Sequence, residues 1–147
     1  MAIRYFAIAA GVVYALVGLL GFVPGATVEG PPNAPPVTVS SFYGYLLGLF
    51  PVNLVHNLVH LAIGAWGIFA YTRGIPSSRM FARGLAVLYA VLAIMGFIPG
   101  LNTVFGLVPL YGHDVWLHAV TAAIAAYFGW GPVEAEDTYP EATTRTA

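Results

Sequence analysis

The chain has 147 residues, 59% of them hydrophobic and only 7% charged, with a net charge of −1. A soluble domain carries roughly a quarter charged residues, so this composition excludes a water-facing globule and points to an integral membrane protein. Its basic residues are five arginines without a patch, which excludes a nucleic-acid surface, and the lack of cysteine excludes disulfides, thiolate ligands and a cysteine nucleophile.

A bilayer core takes about 20 apolar residues of helix. Four segments meet that length in chain order: Tyr5–Val23, Pro51–Tyr71, Met80–Ile98 and Val115–Trp130, the last reaching full length only if it starts near Gly112. The first is too long for the core of a cleaved leader and is read as a span. Between the first two lies a Pro- and Gly-rich loop, Gly25–Ser40, expected to be extended and irregular. Ser41–Phe50 follows, apolar and aromatic, with glycines at 44 and 48. That spacing predicts a short interfacial helix before the second span, or an extension of the span kinked at Pro51.

Arginine placement sets an orientation. Arg4 precedes the first span, Arg73, Arg79 and Arg83 crowd the second connection, and Arg145 follows the fourth span, whereas Pro24–Phe42 and Gly100–Gly112 contain none. The positive-inside rule then places both termini in the cytoplasm and those two loops outside, in the cytoplasmic (inner) membrane of the cell. Trp66, Tyr71, Tyr127 and Trp130 read as anchors at the inner interface, and Trp116 at the outer one. The spans make one domain, residues 1–133, and the acidic tail 134–147 is expected to be disordered.

Two echoes divide that domain. Gly11–Gly25 (GVVYALVGLLGFVPG) recurs at an offset of 75 as Ala86–Gly100 (AVLYAVLAIMGFIPG). Phe50–Leu61 (FPVNLVHNLVHL) recurs more weakly at an offset of 58 as Val108–Ala119 (VPLYGHDVWLHA). The fold class is therefore all-α: a membrane four-helix bundle built from two repeated hairpins, roughly 1–73 and 79–131, related by an axis along the membrane normal.

Polar residues interrupt the apolar runs at His56, Asn57 and His60, and again at His113, Asp114 and His118. Burying such groups in hydrocarbon costs several kcal/mol unless each finds a partner. The repeat register matches His56 with Asp114 and His60 with His118, and each pair is spaced i, i+4, hence on one helix face. If the faces meet, three imidazoles and a carboxylate converge near the outer side.

Three uses fit that set. His56, His60, Asp114 and His118 suit a divalent transition metal, Zn, Cu, Fe or Mn, with Asn53 and Asn57 as hydrogen-bond partners of the ligands. His60 and His118 would also serve as axial ligands of haem b. The plainest use is interhelical hydrogen bonding with no ligand, a role that suits His113 best because it lies off the shared face. The serines lie in or beside loops without a nucleophile motif, which argues against a serine hydrolase.

Phe50–Gly64 (FPVNLVHNLVHLAIG), taken with Tyr111–His118 (YGHDVWLH), resembles the bacterial four-helix membrane family called domain of unknown function 4383. The resemblance covers most of the chain. It implies a small four-span membrane protein and carries over no catalytic residue. The leading expectation is therefore a structural or accessory subunit, set in the lipid bilayer beside a larger complex or a second copy, and not an enzyme. The alternative is a protein that binds metal or haem b for electron transfer or metal handling.

Overall fold

The computed structural model describes residues 1–132; the acidic tail and Arg145 lie outside them. Four helices dominate: α1 (Ala2–Leu20), α2 (Leu54–Thr72), α3 (Ile75–Gly96) and α4 (His113–Trp130). The first three are long and apolar enough to cross a membrane. The fourth is not among them, because His113, Asp114 and His118 lower the apolarity of its 18 residues. Bulky apolar side chains face outward from every helix, including Leu16 on α1, Phe69 on α2, Val91 on α3 and Val120 on α4. Water penalises that pattern and lipid favours it.

The helices pack as two antiparallel hairpins, α1 on α2 and α3 on α4. Close approach in the first depends on small residues. A Cβ on Gly11 would fall 2.7 Å from the Ile68 nitrogen, and one on Gly64 would fall 2.6 Å from the Ala15 nitrogen. The backbones themselves are in contact, which is how helices gain dispersion energy where no hydrophobic effect drives them together. Ala7, Phe81, Leu85 and Ala125 join the hairpins in one fully buried core. Trp66 packs against that core, with its ring edge-on to Phe81 at 5.0 Å.

Repeated sequence produces repeated contact. Gly21 faces Asn57 in the first hairpin, and the offsets of 75 and 58 carry that pair onto Gly96 and Val115, which face each other in the second. Pro51 and Val52 are buried, as are their counterparts Pro109 and Leu110. Leu47 and Gly48 have φ of 54° and 74°, and their counterparts Phe105 and Gly106 have 56° and 89°.

The segment before α2 departs from expectation. No short interfacial helix forms there; strands β2 (Gly44–Leu46) and β3 (Phe50–Val52) make a hairpin, joined on its far side by β1 (Thr27–Val28) in an antiparallel order β1-β2-β3. Glycines four apart serve a helix interface or a hairpin equally well. Here Gly44 lies against Thr27, and Gly48 takes the left-handed turn conformation. Pro51 forbids helix continuation backward from α2, while Tyr43, Tyr45 and Phe50 favour a pleated surface.

Arginines gather at the opposite end, although Arg79 and Arg83 lie on α3 and only Arg73 and Gly74 form the connection. Arg4 donates to the Tyr71 carbonyl at 3.2 Å, and Arg83 Nε to the Gly129 carbonyl at 2.8 Å. Each thus places a cation at the C-terminal, negative end of α2 or α4. The close packing is directly testable. Gly11→Leu should lower detergent stability by about 1–3 kcal/mol, whereas Leu16→Ala on the exposed face should change it by less than about 0.5 kcal/mol, read from thermal aggregation midpoints.

Candidate functional site

The site forms where α2 and α4 begin. Asn53 is the N-cap of α2, its Oδ1 accepting the His56 backbone N–H at 3.0 Å. Its Nδ2 donates to the Val39 carbonyl at 2.9 Å and the Leu107 carbonyl at 2.8 Å, so one amide ties both long loops to the helix start. The Thr38 and Val39 N–H groups donate to the Gly106 carbonyl, and the Tyr43 and Tyr111 hydroxyls lie 2.7 Å apart. Burial, with Tyr43 and Tyr45 beside it, pushes the Tyr111 phenol up, so it stays protonated and available as a donor. Loops and sheet together cover the helix starts.

Beneath this cover His56, Asn57, His60, Asp114 and His118 are all buried, none more than 7% exposed. His56 projects from the first turn of α2 and Asp114 from the first turn of α4, where the positive end of the helix favours a carboxylate. Asp114 Oδ2 lies 4.0 Å from His56 Nε2 and 3.7 Å from His118 Nε2. Ligating atoms of these three residues all fall within 4.8 Å of one another. His60 is one turn further along α2, with its ring 4.5 Å from that of His56, and stands outside this closest group. His113 is exposed and away from it.

Several polar atoms of the cluster are packed without hydrogen bonds. His56 Nδ1, His60 Nδ1, His118 Nδ1, Asp114 Oδ2 and both amide atoms of Asn57 are buried without a hydrogen-bond partner. The Pro51 carbonyl lies near the His56 ring but not in a geometry that satisfies it. Among the described residues only Arg4 Nε shares that condition. Each orphaned group costs about 1–3 kcal/mol, and more if charged.

Two tyrosines complete the site. Tyr14 packs on His60 at 5.4 Å and Tyr89 on His118 at 4.8 Å, while Tyr14 and Tyr89 meet at 5.5 Å. These contacts are the two repeats' versions of one another. The offsets of 75 and 58 match Tyr14 with Tyr89 and His60 with His118, so the Tyr14–His60 contact in one hairpin implies the Tyr89–His118 contact in the other.

A family model described as a domain of unknown function (DUF4383) matches residues 4–131. No curated protein and no solved structure matches the chain. The Asn53 amide offers a separate test of the site's foundation. Asn53→Ala removes a helix cap and both loop ties, and should lower stability by about 2–4 kcal/mol on the combined scale for caps and buried hydrogen bonds. Asn53→Asp, which keeps the cap acceptor alone, should fall between that variant and the wild type in the same melt.

Proposed function

The chain belongs to the DUF4383 family, and we propose that its role is to hold a divalent transition-metal ion inside the membrane through His56, Asp114 and His118. One observation carries the reading: six buried polar atoms on five neighbouring residues lack hydrogen bonds. Interhelical hydrogen bonding, the ligand-free use of such residues, would leave those atoms paired with one another. Among these groups His56 Nε2, His118 Nε2 and Asp114 Oδ2 come together at 4.0 and 3.7 Å, too far apart to hydrogen-bond and close enough to share an ion.

Chemistry and spacing support an ion. Imidazole and carboxylate bind Zn, Cu, Fe and Mn, and bonds of about 2.1 Å set donors roughly 3.4 Å apart in a tetrahedral site. The two pairs at 3.7 and 4.0 Å need only a small closure to reach that spacing. A dication would also balance the Asp114 charge; the only other acidic residue among those described is Glu29, in the loop. A haem held by His60 and His118 would make no use of the approach of Asp114 to His56 and His118.

His60 is placed to become the fourth ligand from the next turn, or to leave that position open. The Asn57 amide, facing Gly21, supplies a hydrogen-bonding group beside the ligands. With the arginines marking the cytoplasmic side, the ion lies in the outer half of the bilayer, reached from outside through the loop cover. Such a site serves metal handling or electron transfer in the inner membrane.

Purified protein loaded with Co(II) should show the visible absorption of a nitrogen- and oxygen-ligated ion at one equivalent per chain. His118→Ala and Asp114→Asn should each weaken binding by about 100-fold or more, as loss of a direct ligand does, whereas His113→Ala should leave it unchanged. Absence of stoichiometric Co(II), Zn(II), Cu(II), Fe(II) and Mn(II) binding alike would refute the reading. The orientation has its own check. A cysteine introduced at Pro32 should react with a membrane-impermeant maleimide added to intact cells, and one introduced at Ser77 should not.

A further inference from the structure

A second feature adjoins the ion site and opens sideways. At the arginine end α1 and α4 meet through Phe6 stacked on Phe128, with ring centroids 4.6 Å apart. A cavity of about 320 Å³ lies between these two helices, with Leu85 and Tyr89 of α3 behind it. Its mouth is framed by Val13, Leu117 and Ile124, all exposed on the face that meets lipid. The opening therefore gives onto the bilayer rather than onto water.

The walls and the polar lining differ sharply in character. Apolar side chains make most of the walls, and no Arg, Asp or Glu lines the cavity. His60 and His118 line it too, only 7% and 2% exposed, each with Nδ1 lacking a hydrogen-bond partner. Beside them are Tyr14 and Tyr89, whose hydroxyls approach each other, and Thr121, which approaches Tyr14. Several hydrogen-bonding groups and flat aromatic surfaces are thus gathered within a greasy cleft.

We infer that this lateral cleft binds a membrane-soluble quinone, its ring in the cavity against Tyr14, Tyr89 and the two imidazoles and its isoprenoid tail passing out between Val13 and Ile124. The inference deepens the ion-site reading and rests on it for its chemistry, because His118 belongs to both places. Recognition follows from complementarity. No arginine lines the cleft to pair a carboxylate or phosphate head, whose unpaired burial is costly. A sterol or simple alcohol brings one oxygen and leaves most of the polar groups unmatched. A quinone brings two carbonyl acceptors on a neutral planar ring, which suits tyrosine and imidazole donors and stacks on aromatic faces. The cavity volume falls at the small end of ligand pockets, about 300–1,000 Å³, adequate for a head group whose tail stays in lipid.

The test titrates a short-tailed benzoquinone into the detergent-solubilised full chain and follows quenching of its intrinsic fluorescence, with palmitate in parallel. Saturable quinone binding that Val13→Trp and Ile124→Trp each weaken by about tenfold or more supports the inference, as does a similar loss in Tyr14→Phe. Both rim residues are exposed on the lipid face and neither is an ion ligand, so these variants should keep one equivalent of Co(II), which also reports that they fold. Quinone binding to a wild type that holds no metal leaves the cleft standing and removes the ion. A metal-loaded wild type without saturable quinone binding, rim variants that bind quinone normally, or palmitate binding as tightly, each overturns the quinone proposal and spares the ion.

Discussion

Hydrocarbon offers no hydrogen bonds, and that deficit organises this molecule. A helix can satisfy its own backbone in lipid, but an imidazole, amide or carboxylate on its surface must turn inward and find company. His56, Asn57, His60, Asp114 and His118 all turn inward, and side chains of α2 and α4 meet at one level of the bundle. The rest of the fold makes that convergence feasible. Glycine contacts draw α1 onto α2, the buried Ala7–Phe81–Leu85 core joins the hairpins, and the sheet and loops close over the helix starts.

Much of this arrangement can be read from the amino acids, because the relevant signals are strong and local. The apolar runs locate the four helices to within a few residues, and the two echoes foretell which contacts repeat. The meeting of Gly21 with Asn57 and of Gly96 with Val115 shows that the offsets describe packing. The hairpin before α2 is less legible, since Gly44 and Gly48 acquire their meaning only from Thr27 and a turn of positive φ. Asn53 illustrates the same limit. Its place before a helix announces a cap, yet its ties to Val39 and Leu107 depend on loops that no local pattern positions.

The cleft was hidden for a different reason. Its walls come from helices in both hairpins, and nothing in Val13 or Ile124 marks either residue except what lies across from it. A side chain that faces lipid and one that frames an opening look alike in sequence. What distinguishes the place is the orphaned nitrogen on His60 and His118, a property of three-dimensional company rather than of residue type.

Duplication gives the bundle a freedom that a pair of separate hairpins would lack. Two identical chains related by a twofold axis must place the same side chain at both equivalent positions, so any centre on that axis is lined by like with like. Fused into one polypeptide, the halves can drift apart at a single position while the scaffold keeps its symmetry. At the level of His56 this chain has done so: one half contributes an imidazole and the other, through Asp114, a carboxyl group. A near-symmetric frame thus encloses an unlike set of donors, and whatever rests between the halves meets a combination that no homodimer of either half would present.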